Sequence, residues 1–354
     1  MRTDPSILSF PPRIKVRGKL QRESKLVPVK TGSHVRNMDS CFRRNDTAHN
    51  HIQTLPNGTV LVDYGPMRMF ITVTEKGKPI ISLAKEGAHL AIQILEDLAE
   101  FLPVIKMRSQ ELKIEEAFPD VVRSMIEATK KMEEPDLTPL AAVAGTTSDR
   151  VADFIFGRGG TKIIVDNGGD VAIRLREGEV ARIGVKTDIQ AKNPDYLITV
   201  DSTTGIGGVA TSGLGGRSFT KGIASAATVL AGNASLADAA ATVVGNFTNV
   251  DDPNILRTLA EKVFPDTDIA GEWVTVEVVK LSSEKIEEAL TNGLTKANSI
   301  CQKGLIKGAL IAVQGKVVWT ESINSLIHSL YPRGLRLRRA SGSERRGESE
   351  GQEV

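Results

Sequence analysis

The sequence predicts a mixed α/β protein of the α+β kind, and three observations carry that prediction. Short β-patterned runs alternate with amphipathic helical stretches through the middle of the chain. The 354 residues are 40% hydrophobic and 25% charged, which suits one large globular domain or two smaller ones. A glycine-dense turn and a buried strand run into an alanine-lined helix, placed from its Ser235 start signal onward.

From the N-terminus, residues 1–45 have no hydrophobic periodicity and many basic side chains, which predicts a disordered basic arm. Residues 31–46 resemble a translated intergenic repeat of bacterial genomes, so a true start codon further downstream is expected. Residues 58–64 and 67–73 have strand patterning about a Gly65-Pro66 turn. Residues 83–102 and 115–132 repeat apolar side chains at helical spacing, and Pro135 and Pro139 break the pattern. A helix is expected at 147–156 and a buried strand at 162–166, closed by the turn Asn167-Gly-Gly-Asp170. Strand signals follow at 171–175, 181–185 and 196–200. After the alanine helix, 273–279 alternates as a strand, 283–301 repeats as a helix and 308–319 forms a last strand pair. The Arg/Ser/Glu-rich end is tail-like. The expected organisation is therefore an arm at 1–45, one folded domain at 46–332 and a tail at 333–354.

The net charge of +2 conceals an uneven distribution. Residues 1–45 carry eleven Lys/Arg against three Asp/Glu, and 333–354 carry six against four, which leaves the stretch between them near −8. The folded part is acidic, and with aromatics at 4% it offers few base-stacking platforms, so no nucleic-acid partner is expected. Cys41 and Cys301 are too few and too far apart for a disulfide framework or a cysteine metal site. No apolar run approaches the ~20 residues of a spanning helix, and no signal-peptide core is evident. No membrane association is expected, and a reducing cytoplasm is the expected location.

Two segments carry candidate chemistry. In Asn167-Gly-Gly-Asp170, Gly168 and Gly169 permit positive φ and let backbone amides approach a ligand, although a plain hairpin turn explains the same residues. Residues 205–216 hold six glycines in twelve positions around Thr211, Ser212 and Gly213, which could cradle a pyrophosphate or simply form a flexible loop. The spacing matches neither a dinucleotide fingerprint nor a Gly-Lys-Ser/Thr phosphate loop. On the alanine helix, Asp238, Thr242 and Asn246 recur every four residues and form one polar stripe. A carboxylate and a hydroxyl one turn apart suit a hard cation beside phosphate oxygens, and a solvated face is the plain alternative. Asp149, near the start of its helix, is expected in a capping role. The five histidines lie outside the glycine-rich region, which argues against a histidine triad or zinc site.

Taken in order, four motifs resemble those of the ApbE-like superfamily, known best for FAD-dependent, magnesium-using protein flavin transferases. They are Gly145-Thr-Thr-Ser-Asp-Arg-Val-Ala152, Val165-Asp-Asn-Gly-Gly-Asp-Val171, Val209-Ala-Thr-Ser-Gly213 and Ala237-Asp-Ala-Ala-Ala-Thr242. The resemblance implies an ApbE-like (T-fold-like) arrangement of sheets with packed helices. It implies Mg²⁺ on Asp238 and Thr242, helped by a carbonyl near Ala144. It also implies FAD or FMN lined by Gly168, Gly169, Asp170, Thr211, Ser212 and Gly213, with Lys221 as a cation for phosphate. Two departures separate the chain from the transferases. Ala144 stands where their pattern has lysine, and Arg217-Ser-Phe-Thr-Lys-Gly-Ile-Ala224 replaces a His-Ile-Ile-Asp-Pro block that holds a candidate base. The expected function is therefore binding of a flavin or related nucleotide pyrophosphate, in a branch lacking that block. A Mg-dependent flavin transferase or FAD-cleaving enzyme is the alternative. A third reading is an accessory or reductase component working with a redox protein on N-heterocyclic or aromatic substrates. A homodimer is compatible with all three.

Overall fold

The computed structural model describes residues 51–330, so the expectations for 1–45 and 333–354 lie outside the described residues. Strands β1 (Ile52–Thr54), β2 (Val60–Tyr64), β3 (Met67–Glu75) and β4 (Lys78–Pro79) fold back on one another, and helix α1 (Ile81–Glu100) packs on them. Helices α2 (Asp120–Lys130) and α3 (Val143–Phe156) lead to β5 (Lys162–Asn167) and β6 (Val171–Leu175). Next, β7 (Val180–Val185) and β8 (Tyr196–Asp201) leave the main sheet, and β9 (Gly208–Ser212) and β10 (Ala226–Ala231) rejoin it ahead of α4 (Ala234–Phe247). A separate hairpin, β11 (Ile255–Leu259) with β12 (Trp273–Val278), precedes α5 (Ser283–Gln302), β13 (Gly308–Val313), β14 (Lys316–Trp319) and β15 (Ile327–Ser329).

The main sheet has ten strands, ordered β1-β2-β3-β5-β6-β9-β10-β13-β14 with β4 on β3, and its pairing is antiparallel. Helices cover one face and the three-stranded sheet β15-β8-β7 covers the other. In β5, Ile163 and Val165 join the core under α1 and α3, whereas Ile164 joins the core under the small sheet. Val229 and Leu230 of β10 divide in the same way. Strands buried on both faces read as continuous apolar runs rather than alternating ones, as 163–165 and 308–313 do.

The fold class is the expected one, but three local expectations change. Helix α3 starts at Val143, a turn before position 147. Helix α4 is capped by Asn233, not Ser235. Asn233 has the extended backbone of a cap (φ −149°, ψ 164°), and its side chain accepts the Leu236 amide at 2.8 Å. Ser235 lies inside the first turn. Finally, 205–216 is not one loop, because Gly208–Ser212 is β9. Its ladder to β6 has only two pairs, Val171 with Val209 and Ala172 with Gly208. Asp170 and Thr211 therefore lie past the end of that ladder, where the main sheet opens.

Candidate functional site

The N-terminal turns of α3 and α4 meet at that opening. Gly145 lies against Ala234 so closely that a Cβ there would stand 2.2 Å from the Ala234 carbonyl oxygen. Across this contact each helix caps the other. Asp149 of α3 accepts the amides of Ala234 (3.0 Å) and Ser235 (2.8 Å) and the Ser235 hydroxyl (2.7 Å). Asp238 of α4 accepts the Gly145 amide at 2.9 Å and is also bonded by the Ala144 amide. The expected capping role of Asp149 is thus real, but it serves the neighbouring helix. Arg174 closes the arrangement with bonds to Asp149 (3.0 Å) and Asp153 (2.6 Å).

Above the crossing lies a cleft of about 420 Å³, within the usual range for small-molecule sites. Its floor holds Asp170, Asp238, Thr242 and Asn246, with Thr211, Ser212 and Gly213 from β9 and its exit, and Gly168 from the turn before Asp170. Helix α4 is buried on nearly every other side, which leaves the 238–242–246 stripe as its face to the cleft. Gly169 falls outside the lining and instead donates its amide to Asp166 Oδ1 at 2.9 Å. The Thr211 hydroxyl is paired with that of Thr228 at 2.9 Å. The same cleft has an apolar wall that sequence reading missed: Leu95 and Leu98 of α1, Leu102 and Ile105 of the turn after it, Leu137 and Leu140, and Phe264 and Ile269 from the β11–β12 connection. No local signal could have found it, because it gathers segments up to about 170 residues apart.

Burial, then the nearby charge of Asp170, hold the Asp238 carboxyl well above its usual value of 3.8, although the Gly145 and Ala144 amides pull the other way. The floor therefore favours an added positive charge.

Lys221, expected as a cation for phosphate, is already engaged by two carboxylates. Its ammonium is bonded to Asp136 and, at 2.6 Å, to Glu272, while its amide donates to Asn246 Oδ1 at 2.9 Å. Burial would raise the Glu272 carboxyl, but its bonds from Lys221 and Arg108 hold it below the usual range. These pairs, with Lys106 on Asp266 at 2.6 Å and Thr138 on Asp268, tie the 264–272 connection across the cleft. Among the described residues, no group of three or more His, Cys, Asp and Glu side chains could hold a metal by itself, and no histidine lines the cleft.

A family model described as "AbpE bacteria" matches residues 52–319, nearly all of the described chain. The chain belongs to this ApbE-like family. A UPF0280 protein of Methanosarcina barkeri is 32% identical over 210 residues, covering 58% of this chain and 81% of that protein. One from Methanopyrus kandleri is also 32% identical over 210 residues, covering 59% and 82%. Both relatives are archaeal. Among solved structures, the chain is similar to a flavin transferase ApbE from Vibrio cholerae (14% identity, TM-score 0.43, covering 78% of this chain and 99% of that one). It is also similar to an ApbE protein from Thermotoga maritima (15% identity, TM-score 0.41, covering 78% and 97%). Gly145, Asp170, Thr211 and Asp238, one from each of the four segments singled out in the sequence, all converge on the crossing of α3 and α4 and the cleft beside it. Among the described residues, no helix is long and apolar enough to cross a membrane.

Proposed function

We propose that the cleft binds a flavin nucleotide, FAD or FMN, or a related nucleotide pyrophosphate together with Mg²⁺. The observation that carries this reading is one cavity lined both by carboxylates and hydroxyls and by a set of apolar side chains. Family membership supports it. Magnesium is commonly held by one or two carboxylates plus substrate phosphates rather than by an all-protein cage. The residues present fit that habit, since Asp238 and Asp170 supply charge and Thr242 supplies a hydroxyl. The amides of Ala144 and Gly145 orient the Asp238 carboxylate, which keeps lone pairs for further contacts. When bound, Mg²⁺ would neutralise phosphate charge next to this floor. Leu95, Leu98, Phe264 and Ile269 would exclude water from a flat ring.

The binding reading is preferred over the transferase one because a transferase needs a base for the acceptor hydroxyl. Here Arg217-Ser-Phe-Thr-Lys-Gly-Ile-Ala224, with no histidine or carboxylate, replaces the block that holds the transferases' candidate base, and losing a general base forfeits about 10²–10⁴ in rate. Titrating FAD and ADP into the purified protein, with Mg²⁺ and then with EDTA, tests the proposal. Tighter binding of both with Mg²⁺ is expected. Equal affinity under chelation would remove the metal, and failure of FAD to bind would remove the flavin.

A further inference from the structure

We infer that Arg217, rather than Lys221, is the cation that engages the ligand's phosphate, and that it makes the cleft select phosphorylated over unphosphorylated ligands. The inference deepens the nucleotide reading above and rests on it. Lys106, Arg217 and Lys221 are the cations lining the cleft among the described residues. Lys106 is paired with Asp266, and Lys221 with both Asp136 and Glu272. To meet a phosphate, Lys221 would have to give up two carboxylates.

Arg217 has no such commitment. Among the described residues, its one hydrogen bond runs from Nη1 to the Pro66 carbonyl at 3.2 Å, and no carboxylate lies within ion-pair distance. Its side chain is exposed at the cleft, and its guanidinium packs on the turn that carries Asp170. A Cβ at Gly168 would stand 3.3 Å from Arg217 Nη1 and 3.5 Å from Cζ, so the bare glycine gives the guanidinium its seat. Four of its five N–H donors are left for other partners, in the fork geometry that matches phosphate.

The surrounding charges explain why such a group is needed. Asp170 and Asp238 repel a bare phosphate from the floor, and a cation there answers only the oxygens that face it. Oxygens turned toward the 213–218 side meet Arg217. A ligand without phosphate gains nothing from it.

The test compares wild type, Arg217→Ala and Arg217→Lys for binding of FAD, riboflavin and ADP in saturating Mg²⁺ and in EDTA, with thermal melting as the fold check. Arg217→Ala should weaken FAD and ADP about 10- to 100-fold, the scale of lost charge-assisted bonds, and leave riboflavin within about twofold. Arg217→Lys, which keeps the charge and loses the fork, should recover part of the affinity. Melting should not change. Equal losses for FAD and riboflavin would show that Arg217 shapes the cleft and does not read phosphate. Unchanged FAD and ADP binding would show a solvated side chain. If ADP binds with Arg217 dependence and neither flavin binds, the flavin reading falls and this inference stands. If wild type binds none of the three, both fall.

Discussion

Asp238 caps α3 through the Gly145 amide and shares the cleft floor with Asp170, and these roles pull its proton affinity in opposite directions. Burial and the like charge win, so between the usual value and the raised one the folded protein holds a proton that the unfolded chain has lost. Stability from that proton is fully present below the usual value of 3.8 and is lost as pH rises through the raised folded value. In EDTA, Asp238→Asn should therefore melt above the parent at pH 7.5, with the advantage shrinking toward pH 4. Parallel melting curves across that range would show that the carboxyl is not strained. Removing a buried charge and adding a better helix former would by themselves make Asp238→Ala neutral or mildly stabilising without metal. The cap changes this, because asparagine keeps an acceptor for the amide and alanine does not. Asp238→Ala should sit below Asp238→Asn by about 1 kcal/mol. With Mg²⁺ present both should lose FAD affinity, and Thr242→Val should lose less in the same direction.

The polar stripe on α4 was legible because a four-residue repeat stands out on alanine, and close packing of α4 left that stripe as its face to the cleft. The cap was not legible, since Asn233 and Ser235 are both good cap residues and only backbone conformation decides between them. Nor could the sequence show that Asp149 and Asp238 cap each other's helices, because that depends on how the two helices cross. Their crossing gives two expectations at this scale. Gly145→Ala forces a Cβ against the Ala234 carbonyl and should destabilise by about 1–3 kcal/mol through overpacking. Asp149→Ala strips two amides and a hydroxyl of their acceptor and leaves the largely buried Arg174 with Asp153 as its one carboxylate partner, a loss of about 3 kcal/mol. Urea denaturation midpoints check both. Values within 0.5 kcal/mol of the parent, on the order of an ordinary surface change, would mean that the helices do not rely on this junction.

Over the whole molecule, the cleft depends on a segment that no motif marked. The β11–β12 connection contributes Phe264 and Ile269 to the apolar wall, and Glu272 binds both Arg108 and Lys221. Each partner comes from a different part of the chain, so a cation near a glycine-rich segment read as a phosphate ligand until its carboxylates came into view. The Glu272 pairs are about a quarter exposed, so their net contribution to stability is small, under about 1 kcal/mol. Their effect should instead fall on the connection itself and on charge in the cleft. Glu272→Gln keeps the size, removes the charge and leaves Lys221 paired with Asp136 alone. It should barely move the melting temperature, yet speed amide exchange across 264–272, because both ionic ties of Glu272 to the body are lost. Binding of FAD and ADP should tighten by a few-fold at low salt and return toward the parent as salt rises, since an unmatched positive charge is screened. Exchange unchanged across 264–272 would show that the apolar contacts of Phe264 and Ile269 hold the connection without the ion pairs. Weaker nucleotide binding would mean that Glu272 positions the wall more than it neutralises the cleft.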